Sequence, residues 1–278
     1  MKLFPIVTLL IIFSTNPTQA QTRTVKNHLL AFWDFSEGAG EARISKSFSN
    51  PETYHWIEGT KPIERVSEGP INNTSAVIKD STWFYIPRKK LGKLNIFGKE
   101  SQVTVVAWVK KDTEKYWQAI AGVWDETREK RQYYMFLNAA SKTHSDEMKR
   151  YPANGLIHGH ISASGGKSPG QIAWISYASS EQPVLTDEWT MIAISYNGKE
   201  IKAFKNGKLS GNTLTNPFPY EDGIFDGGED GADFTVGANS VVGKMTNQFI
   251  GQISGLAVFD IALKDKDILR LYKNRINL

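Results

Sequence analysis

Residues 187–211 read DEWTMIAISYNGKEIKAFKNGKLSG. Two β-rich runs, Trp189 to Asn197 and Glu200 to Asn206, each close on an Asn-Gly pair, Asn197-Gly198 and Asn206-Gly207. Asn-Gly supplies the positive φ angles of a type I′ turn, the strongest short-range signal for a hairpin. The stretch predicts antiparallel pairing. Short strands repeated in this way along a chain predict a sandwich or a barrel.

Upstream, residues 102–110 (QVTVVAWVK) alternate. Val103, Val105, Ala107 and Val109 share one face, and Thr104, Val106 and Trp108 the other. Both faces are largely apolar, which predicts a central strand covered on both sides. Further short runs fall at 29–35, 75–78, 83–86, 119–124, 132–138, 155–163, 172–177, 234–238 and 249–259. Segments 125–130, 139–154 and 222–233 are charged or rich in Gly and Asp and read as loops. A helical pattern comes only near the end. Asp265 and Asp267 favour its N-terminus, and Ile268, Leu271 and Tyr272 make its apolar stripe. No repeat or linker interrupts the series, so residues 21–278 read as one domain.

Residues 1–20 read as a signal peptide. Lys2 supplies the charge, and an apolar stretch runs from Leu3 to Phe13. Breakers and a small-residue exit follow, ending at Ala20. Cleavage after Ala20 places the mature chain in the periplasm or outside the cell. The apolar run is too short to span a bilayer and no second one follows. The chain has no cysteine, which excludes disulfides, thiol catalysis and thiolate metal sites. A net charge of +4 with scattered basic residues gives no nucleic-acid footprint.

Taken together, several segments resemble the laminin-G-like jelly-roll family of the concanavalin A-like lectin/glucanase superfamily. AFWDFSEGAG (residues 31–40) resembles its first strand and turn, and VTVVAWVKKD (103–112) its first central strand. Residues 187–211 resemble the family hairpin. ADFTVGAN (232–239) and residues 249–274 resemble the closing strands and helix. The resemblance implies an all-β, two-sheet antiparallel jelly-roll sandwich with a short C-terminal helix. It also implies a glycan site on a concave face or rim, and a structural calcium ion. One departure concerns that ion. Ser254 stands where the family often has an acidic residue of the calcium site.

Several residues could carry chemistry. In GLIHGHI (155–161) alternation puts His158 and His160 on one face and Ile157 and Ile161 on the other. Two imidazoles at i and i+2 can ligate a metal, transfer protons or hydrogen-bond sugar hydroxyls. A sugar-facing or simply polar role is the preferred reading. Gly159 between them lets a ligand or a neighbouring strand approach the backbone. Trp124 and Asp125 leave a strand for a loop, where an indole stacks on a sugar face and a carboxylate takes hydroxyls. Tyr133 and Trp174 complete the candidate ligand-binding set. Trp174 and Tyr177 fall on opposite faces of their strand, so at most one of them lines a groove. Asp226, Asp230 and Asp233 offer hard oxygens for calcium from a Gly-rich loop. Trp33, Trp108 and Trp189 read as core, and Asp34 as a turn cap.

These readings favour a secreted, lectin-like carbohydrate-binding protein with no catalytic residue assigned. The alternatives are a polysaccharide lyase or glycoside hydrolase on the same fold, with His158 or His160 acting beside Tyr133 or Tyr134, and an adhesion module with a protein partner.

Overall fold

The computed structural model describes residues 25–38, 41–47, 50–115, 117–138, 154–166 and 176–275. The proposed signal segment and Trp174 lie outside the described residues. In chain order the strands are β1 (Leu29–Trp33), β2 (Arg43–Ile44), β3 (His55–Glu58), β4 (Arg65–Val66), β5 (Ser75–Ile78), β6 (Phe84–Ile86), β7 (Val103–Lys111), β8 (Gln118–Asp125), β9 (Lys130–Asn138), β10 (Leu156–Ile161), β11 (Ser176–Ser179), β12 (Thr190–Tyr196), β13 (Glu200–Lys205), β14 (Lys208–Leu209), β15 (Phe218–Pro219), β16 (Phe234–Val236), β17 (Asn239–Val241), β18 (Lys244–Thr246) and β19 (Gly251–Phe259). One helix of this region, α1 (Asp265–Lys273), follows.

Two sheets form. The first runs β14-β13-β12-β7-β19-β5-β4, with β1 added on β19 and β15 on β13. The second runs β11-β10-β9-β8-β16-β6-β3-β2. Strand β7 sits between β12 and β19, as its two apolar faces require. Its Val103, Val105, Ala107 and Val109 enter the main core. Ile192 and Ile194 of β12 and Ile253, Leu256 and Val258 of β19 join them there. The second sheet contributes Val123, Tyr133, Met135, Leu137, Ile157, Ile161 and Phe234. Burying these branched and aromatic side chains between two sheets is the main stabilising term in a chain without cross-links.

The other face of β7 carries Val106 and Trp108 into a second cluster with Met191, Phe204, Ile268 and Leu271. Helix α1 supplies the last two, so the apolar stripe read from the sequence docks the helix on the back of the first sheet. The two Asn-Gly turns differ. Asn206 and Gly207 both hold positive φ, 50° and 78°, between β13 and β14, as a type I′ turn needs. At the other turn only Gly198 does (φ 84°), and Asn197 Oδ1 instead accepts from the backbone N–H groups of Lys199 and Glu200. That turn is therefore a wider loop than a two-residue type I′ turn.

Candidate functional site

Strand β10 lies between β9 and β11. His158 stands opposite Phe136 and Ser179, and His160 opposite Tyr134 and Tyr177. Both histidines face away from the main core, because the alternating Ile157 and Ile161 enter it. The outer face of the second sheet thereby gathers Ala119, Trp124, Tyr134, Phe136, Leu156 and Tyr177 into an aromatic floor, with Trp117 packed against it.

The rings are close. The imidazoles lie 5.7 Å apart, centroid to centroid. Tyr177 stacks on both, at 4.7 Å from His158 and 4.8 Å from His160. Trp117 meets them edge-on at 5.3 and 5.5 Å. Phe136 and Trp124 close on His160 at 4.8 and 5.6 Å. His158 is 0 % exposed and His160 3 %. Burial pushes His158 down to about 3. Burial also pushes His160 well below its usual value, aided by the neighbouring charges of His158 and Arg131. Both imidazoles are thus neutral near pH 7, each with one N–H donor and one lone-pair acceptor. Neither ring nitrogen of His160 has a hydrogen-bond partner among the described residues. Trp117, only half-buried, is the member of the group that meets solvent.

The other sequence candidates divide. Trp124 shares this face, its Nε1–H donating to Glu126 Oε1 at 3.3 Å. Tyr133 does not. It points into the main core and donates its hydroxyl to Leu94 O at 2.7 Å. Strand β9 is apolar on both sides, so parity could not say which tyrosine faces out. Tyr134 faces out, but its hydroxyl is turned to Thr235 and Ala238. Asp125, expected to take sugar hydroxyls, is engaged within its own turn. Both its oxygens serve Arg128, Oδ2 accepting from Nε at 2.7 Å and Oδ1 from the backbone N–H at 3.2 Å. That closes the β8–β9 turn and spends the Asp125 carboxylate there, so the carboxylate that meets the aromatic floor at Trp124 is Glu126. Gly159 faces inward as well. The close neighbours there are Ile194 and Ile201 of the opposite sheet, which an added Cβ would meet at 2.9 and 3.0 Å.

The acidic loop does not gather its carboxylates. Asp226 caps Gly228 and lies 4.0 Å from the Arg88 guanidinium, Asp230 accepts from Arg128 at 3.1 Å, and Asp233 accepts from the Arg88 backbone N–H. Arginines supply the positive charge that a cation was expected to bring. Among the described residues no three His, Asp or Glu side chains come together as a metal site. Ser254 stands where an acidic calcium ligand was expected. Its hydroxyl donates to Thr74 O and accepts from the Ile71 N–H. The nearby buried carboxylate, Asp34, is held by Lys46, Asn72 and Ser36. A lone carboxylate already paired with an ammonium does not fit calcium, which wants several free hard oxygens.

Trp117, Phe136 and Tyr177 were not assigned to the site from sequence. Phe136 follows from β9 parity once the outward face is known. Trp117 precedes its strand and carries no periodic signal.

Two sheets, this strand order and the docked helix invite comparison with known proteins. A family profile described as the concanavalin A-like lectin/glucanases superfamily matches residues 82–269. The chain belongs to that superfamily. No curated protein sequence matches. Among solved structures, domain 4 of AbnA, a GH43 extracellular arabinanase from Geobacillus stearothermophilus in complex with arabinotriose, aligns at 17% identity over 88% of this chain and 98% of its own, with a TM-score of 0.53. The binding domain of Paraclostridial Mosquitocidal Protein 1 aligns at 12% identity over 91% of this chain and 53% of its own, TM-score 0.57. The ligand binding domain of botulinum neurotoxin serotype D, in complex with N-acetylneuraminic acid, aligns at 12% identity over 92% and 53%, TM-score 0.52. The chain spans about half the length of these two toxin domains. At such identities the likeness is one of fold.

Proposed function

We propose that the protein binds a carbohydrate on the outer face of the second sheet, as an exported protein freed from residues 1–20 by cleavage after Ala20. One observation carries the reading: two neutral imidazoles lie side by side in an aromatic frame, and the His160 nitrogens are buried without a hydrogen-bond partner among the described residues. A sugar ring offers an apolar face for Trp117 and hydroxyls that both donate and accept. Leaving buried polar atoms unsatisfied costs about 1–3 kcal/mol each, which a hydroxyl-bearing ligand would recover. The arabinotriose and N-acetylneuraminic acid complexes of similar folds support a sugar ligand, although another such fold is found in complex with a protein, rat synaptotagmin II.

The test is a thermal-shift panel of neutral and anionic glycans against the mature protein, His160→Phe and Trp117→Ala. A ligand bound only by the folded state must raise its melting temperature. A shift with one glycan, lost in both variants, supports the site. No shift with any glycan, or only shifts that survive both changes, sinks it. N-terminal sequencing of the exported product checks the cleavage.

Tyr177 against both imidazoles, with Arg131 beside His160, favours a second reading. A phenol, an imidazole and a cation suit proton abstraction beside a uronate carboxylate, the step of a polysaccharide lyase. Appearance of the ultraviolet-absorbing unsaturated product on incubation with a polyuronate would establish it.

A further inference from the structure

A separate cleft opens on the far side of the sandwich, where the back of the first sheet meets the C-terminal end of α1. It has a volume of about 600 Å³ and is lined by Glu68, Trp108, Trp189, Tyr272, Lys273 and Arg275, with Gly69 and Pro70 at one edge. That size suits a small organic ligand or a few sugar units.

Its chemistry is unlike that of a helix–sheet seam. Trp108 and Tyr272 stack at 5.4 Å, with planes 20° from parallel. Trp189, read from sequence as core, is instead only partly buried and lines the cleft. The Lys110 ammonium lies 5.8 Å over its ring. Glu68 is the cleft's one lining carboxylate, and it is occupied. Lys110, Trp189 and Gln252 all donate to it, and the hydrogen bond from Lys110 outweighs the opposing effect of burial and, with the lesser one from Gln252, holds its carboxyl below the usual range. Lys273 and Arg275 are exposed at the rim. The lining therefore carries two exposed cationic groups, Lys273 and Arg275, and one carboxylate already paired with Lys110.

Trp108 adds an independent sign of a ligand. It is only 6 % exposed, and its Nε1–H has no acceptor among the described residues although it lines the cleft. A buried N–H without an acceptor is uncommon and costly.

We propose that this cleft binds an anionic polysaccharide. Trp189 stacks on a sugar ring, Trp108 Nε1–H donates to one of its oxygens, and Lys273 and Arg275 take the negative group. Carboxylate (uronate) and sulfate ester present the same charge to these residues, and the test separates them. The site lies on the opposite sheet from the histidines and does not depend on them.

The experiment titrates polygalacturonate, dextran sulfate and uncharged dextran into the mature protein at about 0.15 M salt, where long-range attraction between exposed charges is screened. The variants are Trp189→Ala, Lys273→Glu/Arg275→Glu and, as a charge control on the other sheet, Lys244→Glu, whose side chain is exposed. The expected result is binding of at least one anionic polymer and not of dextran. It should be weakened tenfold or more by the first two variants, unchanged in Lys244→Glu, and should shift the Trp108 indole N–H resonance. Preference for polygalacturonate assigns a carboxylate, and preference for dextran sulfate a sulfate. Lys273 and Arg275 are exposed, so the charge-reversal variant should melt with the parent. If neither anionic polymer binds, or binding survives the charge reversal, or dextran binds as well, the proposal is overturned.

Discussion

His160 and Tyr177 stack face to face across β10 and β11, with ring centroids 4.8 Å apart and planes 17° from parallel. Burial keeps the imidazole neutral near pH 7, and neutrality has a thermodynamic consequence. His158 and His160 bind protons less readily in the folded chain than at the ordinary value of 6.5. The unfolded chain therefore takes up protons first as pH falls. Their contribution to stability is complete above about pH 6.5 and declines below it, by up to about 1.4 kcal/mol per pH unit per imidazole. Urea unfolding at about pH 7 and pH 5.5, where most carboxylates stay ionised, should show this loss. The double variant His158→Phe/His160→Phe should show a flatter profile. Equal pH dependence in parent and variant would refute the assignment.

Gly159 between the histidines is set by packing. Its missing side chain leaves room for the Cγ2 atoms of Ile194 and Ile201. Gly159→Ala should overpack the core and cost about 1–3 kcal/mol, read as a lower urea midpoint with little change in slope. A midpoint unchanged within error would mean that the sheets can separate by a few tenths of an ångström without loss.

Gly207 has two reasons to be glycine. Its φ is +78°, and an added Cβ would lie 2.8 Å from Tyr272 Cβ and 3.0 Å from Leu269 Cα. The β13–β14 turn and α1 thus touch backbone to backbone. Gly207→Ala should cost at least about 1–3 kcal/mol from strain and crowding together. It should also raise hydrogen exchange in α1 specifically, because the helix must move away. Destabilisation spread evenly over the domain would locate the cost in the turn alone.

The fold was legible where period and turn chemistry agree. Val103 to Val109 alternates with apolar residues on both faces, and the strand is central. The Asn206-Gly207 turn and the Ile268/Leu271 stripe were equally direct. The site was legible only in part. His158 and His160 share a face because of their spacing, but on β9 both Tyr133 and Tyr134 sit in apolar company, so alternation gave two sets and no direction. Trp189 stands just before its strand, where no periodicity operates, and was misread as core. Charge was the weakest guide. Asp125 is taken by Arg128 three residues on, and Asp226, Asp230 and Asp233 meet Arg88 or Arg128 from segments distant in sequence, which no local spacing records.

Lys46 and Asp34 carry the last prediction. Burial alone would raise the Asp34 carboxyl, but hydrogen bonds from Lys46 and Ser36 and the Lys46 charge hold it below the usual range. Ser254, where an acid would help hold a cation, spends its hydroxyl on Thr74 and Ile71 instead. An ammonium and a hydroxyl thus do locally what a divalent ion does when several carboxylates converge. Melting temperature should be the same in millimolar calcium and in chelator, since a ligand that does not bind the folded state cannot shift it. Lys46→Met should lower stability at pH 7 by leaving a nearly buried carboxylate short of its cationic partner. Because the Lys46 side chain is 54% exposed, solvent screening keeps that loss modest, about 1 kcal/mol. The loss should shrink as pH falls and Asp34 is protonated. A clear rise of melting temperature with calcium in the parent protein would show that oxygens outside this cluster assemble a cation site, and would overturn the account.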